Sequence, residues 1–171
     1  MLSNVTDELN RFAKYVVSQS RANLTRSKKN ASKRLYNSIE YKVKESKNSF
    51  QLEFLMEDYG IFQDKGVSGV KKKYNTPYSY KDKMPPVKSL DKWIVKRNLK
   101  GVRGKDGKFI SRKSLQYMIA RSIYNNGIKP SLFFTKPFEK AFKNLDEDLV
   151  KAFRLDMEKL LTTTTKDNLK K

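Results

Sequence analysis

Over residues 41–57 the hydrophobic pattern of the chain has a period of two. Tyr41, Val43 and Glu45 alternate with lysines up to the polar tetrad Ser46-Lys47-Asn48-Ser49. Beyond it Phe50, Leu52, Phe54 and Met56 alternate with Gln51, Glu53, Leu55 and Glu57. Successive side chains of a strand point to opposite faces, so this alternation on both sides of a polar turn predicts a β-hairpin with one buried face.

The rest of the chain follows a helical period. Val5, Leu9, Phe12, Ala13 and Val16 recur at spacings of three and four, which predicts an amphipathic helix over 4–20. Ser3 or Asn4 stands where it can cap that helix, and Asp7 and Glu8 fall in its first turn, where the helix dipole favours negative charge. Ala31, Leu35 and Ile39 mark a second helix around 29–40, either separate from the first or joined to it through a bend. Val87, Leu90, Trp93, Ile94 and Leu99 predict a helix behind Pro86, with Trp93 expected in the core. Three glycines between Gly101 and Lys108, with Asp106-Gly107, signal a tight turn. Leu115, Met118, Ile119, Ser122 and Ile123 predict another helix, stopped by Asn125-Asn126-Gly127. Residues 128–137, IKPSLFFTKP, are expected as a buried strand. Phe138, Ala141, Phe142, Leu145, Leu149, Ala152, Phe153 and Leu160 then predict one last helix, fraying over 162–171.

This order predicts a single α+β domain over 1–171. Its small, mainly antiparallel sheet would consist of the hairpin plus the later strand, packed with N-terminal, central and C-terminal helices. Residues 67–86 are expected as a basic exposed loop. A chain of 171 residues is about the size of one ordinary domain, and its 37% apolar content is low for that size.

Composition narrows the chemistry. There is no cysteine, which excludes disulfide scaffolds and thiolate metal sites, and no histidine, the commonest general base. No apolar run approaches the ~20 residues of a membrane span, so no membrane partner is expected. The polar start MLSNVTDELN is not that of a signal peptide. The formal net charge is +20, and residues 70–113 hold 15 basic and 3 acidic side chains, a net of +12. That belt is a candidate polyanion contact, or a solvated surface.

Within YGIFQDKGVSG at 59–69, Gly60, Gly66 and Gly69 suggest a phosphate cradle, but the spacing is wrong for one and no Lys-Ser/Thr pair follows. The glycines read instead as the exit from the hairpin: Gly60 permits close packing, while Gly66 and Gly69 release the chain into a mobile basic loop. A Mg²⁺-dependent nuclease is the enzyme class most compatible with a chain lacking histidine. Its short motif occurs at Glu40-Tyr41-Lys42, Glu45-Ser46-Lys47 and Asp106-Gly107-Lys108. With 29 lysines such triplets arise by chance, and none has an aspartate partner one strand earlier. No catalytic, metal-binding or cofactor-binding residue is assigned. The candidate contact residues, for an interface or a polyanion, are Tyr59, Phe62, Lys65, Lys71, Lys72, Lys73, Tyr74, Tyr78 and Tyr80, since lysines interleaved with aromatics suit both.

Four segments, in order, resemble the tail-completion (neck, or head–tail joining) proteins of tailed bacteriophages. They are ASKRLYNSI at 31–39, YGIFQDKG at 59–66, LDKWIVKRNLKG at 90–101 and MIARSIYNNGIKPSLFFTKPFEKAF at 118–142. The likeness spans roughly 30–145; the stretch at 70–86 is longer and more basic than the family pattern. The resemblance implies a non-enzymatic virion protein without cofactors, assembled in the host cytoplasm. Several copies would form a homo-oligomeric ring in the head–tail connector, with other connector and tail proteins as partners and non-specific contact with packaged DNA. A basic DNA-binding accessory protein is the alternative.

Overall fold

The computed structural model describes residues 2–46, 49–99, 103–105 and 107–168, with side chains described through Thr162. Among the described residues it is an α+β structure of seven α-helices and a two-stranded antiparallel sheet. The chain divides into two compact units, one of Met1–Asn23, Asn37–Met56 and Phe133–Lys171, the other of Leu24–Tyr36 and Glu57–Leu132. We call them unit 1 and unit 2.

Unit 1 is built on the hairpin. Strands β1 (Glu40–Ser46) and β2 (Ser49–Leu55) pair with Tyr41 opposite Phe54, Val43 opposite Leu52 and Glu45 opposite Phe50, the register that the period of two predicts. Lys47 and Asn48 of the expected turn lie outside the described residues. Helix α1 (Ser3–Arg26) presents Val5, Leu9, Phe12, Ala13 and Val16, all buried. Phe12 meets Phe54 and Phe138 edge-on at 6.3 and 5.7 Å, and Phe54 meets Phe134 at 5.2 Å. Such T-shaped pairs place the positive edge of one ring on the negative face of another. Each buried phenylalanine contributes on the order of 1.5–3 kcal/mol through area removed from water.

The final apolar stripe is carried by two helices, not one. Helix α6 (Thr135–Phe142) ends in a turn before α7 (Leu145–Asn168) begins. The break splits the stripe. Leu145 and Ala152 are buried, whereas Phe142, Phe153 and Leu160 stay about half exposed. Helix α7 runs through the region expected to fray, of which residues 169–171 and the side chains of 163–168 lie outside the described residues.

The cap of α1 comes from far along the chain. Asp156 on α7 accepts from the backbone N–H of Asn4 and of Val5, both at 3.1 Å, and from Asn4 Nδ2 at 2.7 Å. Ser3 and Asn4, expected as the capping residues, instead donate to this carboxylate. Helix N-termini leave their first N–H groups unsatisfied, and a buried carboxylate meets two of them here. Burial pushes the Asp156 carboxyl up, but the hydrogen bonds from Asn4 and Val5, with Lys159 nearby, outweigh it and hold the group below its ordinary value.

Unit 2 opens where α1 ends. Lys28 and Lys33 take left-handed φ angles of 54° and 53°, which break the helical path and leave only Arg34–Ser38 as the short α2. The two N-terminal helices are therefore separate. Helix α3 (Gly60–Lys65) occupies the segment expected as an irregular hairpin exit. A 3₁₀ turn (Val87–Leu90) leads into α4 (Asp91–Lys96), and α5 (Arg112–Asn126) follows. Ser111 caps α5 by accepting from Ser114 N–H at 3.1 Å, and Gly127 closes it at φ 71°. Asp91 ties the two helix starts together, accepting from Arg112 Nε and Nη2 at 2.6 and 2.9 Å and from Gln116 Nε2. The tight turn before α5 is closed by a bridge between Arg103 and Phe109, while Lys100, Gly101, Val102 and Asp106 lie outside the described residues.

The segment expected as a later strand contributes one antiparallel bridge, Ile128 with Val67. Leu132 adopts φ 50°, outside the strand region, and the N–H groups of Ser131 and Leu132 turn onto Asp64 O. Pro130 has no N–H to donate, Leu132 leaves the extended region, and Thr135–Pro137 already belong to α6, so no ladder forms.

Candidate functional site

All nine candidate contact residues fall in unit 2. The lysines at 71–73 lie along the C-terminal end of α5. Val70 N–H donates to Tyr124 O at 3.0 Å, and Lys71 and Lys72 N–H both donate to Asn125 O, at 2.9 and 3.1 Å. These bonds satisfy carbonyls that a helix C-terminus otherwise leaves open. Two glycines make the approach possible. A Cβ on Gly69 would stand 2.2 Å from Asn125 O, and one on Gly127 would stand 2.1 Å from Val67 O.

The start of the expected mobile loop is therefore part of the packed structure. Val67 and Ser68 are buried, and Ser68 bridges Ser79 with backbone bonds to Tyr78 and Tyr80. The Ser68 hydroxyl also donates to Tyr74 O at 3.1 Å and accepts from Tyr74 N–H at 2.9 Å. Gly66 and Gly69 do not release the chain; they bring backbone against backbone. The side chains of Lys71, Lys72 and Lys73 remain exposed on this anchored segment, as does that of Lys65 at the end of α3.

The tyrosines are engaged within the fold. Phe62 meets Tyr78 edge-on at 4.8 Å, Tyr80 lies 6.3 Å from Tyr124, and Lys72 Nζ sits 5.6 Å over the Tyr74 ring. Tyr124 Oη donates to Lys81 O at 2.6 Å, and burial pushes the Tyr80 phenol up. Tyr74, Tyr78 and Tyr80 are each half-buried, so they brace the lysine segment more than they offer free stacking faces.

Tyr59 belongs to a different place. It lines a cavity of about 250 Å³ together with residues 29–36, Gln63, Trp93 and Arg97. Trp93, expected in the core, is 39% exposed at this cavity, because Ile94 takes the buried position on the short helix α4. The Arg97 guanidinium lies 5.8 Å over the indole, and its Nη2 donates to Lys28 O. The spacing of Trp93 and Arg97, one helical turn apart, was the available sequence signal. Burial holds the Lys29 ammonium below its ordinary value, although the Asp64 carboxylate opposes this. Burial likewise pushes the Tyr59 phenol up, reinforced by Glu57.

Unit 1 carries a third feature, an open apolar groove of about 1,010 Å³. Its walls include Phe50, Leu52, Phe54, Phe138 and Phe142, and Val150 and Phe153 stand at its edge, 52% and 48% exposed. Among the described residues no group of three or more carboxylates could hold a metal ion, and no helix is long and apolar enough to cross a membrane. Of the nuclease-like triplets, Glu40 and Lys42 are exposed on β1, while Lys47 and Asp106 lie outside the described residues. A scan against protein-family models finds no match, and the searches of curated proteins and of solved structures return no significant match.

Proposed function

We propose that this chain is a structural, non-enzymatic virion subunit of a tailed bacteriophage, forming a homo-oligomeric ring in the head–tail connector. The observation that carries this reading is the open apolar groove of unit 1 with Phe142, Val150 and Phe153 exposed beside it. Apolar surface of this kind is costly to leave in water and marks a contact with another protein. A second copy of the chain is the occupant the reading assigns, with other connector and tail proteins at the ring's remaining faces. The ordered segments at 31–39, 59–66, 90–101 and 118–142 supply the resemblance to neck proteins. In a ring, repeated subunit contacts let modest interfaces hold.

The test is mass and location. Sedimentation of the purified chain should give a closed oligomer that Phe153→Ser disperses, and the protein should be found in virions at the neck. A monomer at all concentrations, or normal tail attachment in a deletion, would overturn the reading.

One observation favours a second reading, a basic DNA-binding accessory protein. Lys71, Lys72 and Lys73 project from an anchored segment, a row of charge held at fixed spacing. It predicts salt-steep binding of duplex DNA by the monomer. Neutralising the three lysines without changing affinity or salt slope would remove its support.

A further inference from the structure

The cavity beside Trp93 is not used by either reading, and its chemistry is distinctive. Four cations line it, Lys29, Lys33, Arg34 and Arg97, and no carboxylate does. Arg34 is paired to Glu57 at 2.8 Å through Nε, which orients its guanidinium. Two lining side chains hold buried polar atoms without a partner, the Arg97 Nε donor and the Asn30 Oδ1 acceptor. Unpaired buried polar groups are expensive and uncommon in folded proteins. Asn30 Nδ2 meanwhile bonds Thr25 Oγ1 at 2.8 Å, so its amide is held in place.

The backbone around the cavity is also unusual. Among the described residues four non-glycine residues have positive φ, and three of them lie in segments that border it: Lys28, Lys33 and Asn98. Such conformations persist where surrounding structure enforces them, and they cluster at binding sites. An aromatic wall and a cationic rim are complementary to a planar base carrying an anionic group. The volume lies just under the ~300–1,000 Å³ typical of small-molecule pockets, which suits one nucleotide unit and not two.

We propose that this cavity binds a single nucleotide, its phosphate among Lys29, Lys33 and Arg34 and its base against the indole of Trp93. The nucleotide is either free in solution or an unpaired unit of a strand; both present the same phosphate and base. A phosphate beside the half-buried Lys29 would also offset the burial that now disfavours its charge.

Trp93 is the sole tryptophan, so its fluorescence reports directly on the cavity. The full chain is titrated with deoxyadenosine monophosphate, inorganic phosphate, a ten-nucleotide single strand and the corresponding duplex. Saturable quenching by the mononucleotide is expected, with inorganic phosphate at least tenfold weaker. Lys33→Gln and Arg97→Gln should each weaken binding about tenfold, while Lys14→Gln on the exposed face of α1 should not change it. Arg97→Gln also removes the bond to Lys28 O, so if it fails to fold, Lys33→Gln at its exposed position decides. A single strand tighter than the mononucleotide, with the duplex weaker, assigns the strand as source; equal affinity of strand and mononucleotide assigns the free nucleotide. No saturable response to the mononucleotide by fluorescence and calorimetry would overturn the proposal. So would inorganic phosphate binding as tightly, or unchanged affinity in Lys33→Gln.

Discussion

Unit 1 and unit 2 keep their structure by different means. Unit 1 has 15 basic and 12 acidic residues, a net of +3, and packs phenylalanines from α1, β2 and α6 around Phe12 and Phe54. Unit 2 has 23 basic and 6 acidic residues, a net of +17, and relies on close backbone approach, isolated bridges and polar ties such as Asp91. The contrast teaches that the charge of the chain is not spread as a uniform solvating coat. It is concentrated in unit 2, whereas the buried apolar clusters around Leu9 and Phe12 lie in the nearly neutral unit 1. Unit 1 offers an apolar groove, and unit 2 a cationic surface on which Ile61, Phe109 and Met118 also stand exposed.

The largest expected effect tests the apolar half of this contrast. Phe12→Ala should destabilise unit 1 by about 3–5 kcal/mol, because its two aromatic neighbours, Phe54 and Phe138, cannot collapse into the void. Denaturant melts would show it, and a loss below 1 kcal/mol would mean the aromatic cluster is not the support. Gly69→Ala tests the other half. Its Cβ has no room against Asn125 O and Gly127 N, so a loss of about 3 kcal/mol is expected from overpacking against backbone. If melting were unchanged, the close approach of residue 69 to α5 would be wrong.

Asp156→Asn sharpens the comparison, since Asp156 is a buried carboxylate in the nearly neutral unit. A loss of about 1–3 kcal/mol near neutral pH is expected from weakening the cap. The folded carboxyl sits below its unfolded value near pH 4, so its contribution is complete above that pH. It is lost as pH falls through the folded value. The variant should therefore flatten the acid limb of the stability profile; an identical limb would count against the cap. The smallest effect on stability, within about 0.5 kcal/mol, is expected for Lys71, Lys72 and Lys73 changed together to glutamine. Under the DNA-binding reading the same variant should lower the salt slope of duplex binding by nearly 3, at ~0.9 per phosphate contact.

Much of unit 1 was legible. The period of two placed both strands and their register, and the spacing of Val5 to Val16 placed the buried face of α1. The last stripe misled because helical spacing continues across the α6–α7 break; the start of α7 is marked only by Asn144 followed by Asp146, Glu147 and Asp148, an N-cap and an acidic first turn. Unit 2 was harder to read. Helix α3 is inverted relative to its apolar residues, with Gly60 and Asp64 buried and Ile61 and Phe62 exposed, so its pattern gave no helical signal. The candidate lysines were found from charge interleaved with aromatics, whereas Trp93, outside that set, was expected in the core from its helical spacing.

Local order, then, was written in side-chain periodicity: where the strands pair, which face of α1 is buried, and where α5 stops at Gly127. Those features depend on residues a few positions apart, whose geometry one helix or strand already sets. Tertiary structure decided the long-range matters. It gave α1 its cap from Asp156, more than 150 residues away, and it pressed Gly69 onto α5. It also gathered Lys29, Arg34, Trp93 and Arg97 around one cavity. Each of these depends on groups distant in sequence meeting at hydrogen-bond or van der Waals range, and periodicity carries no record of such meetings.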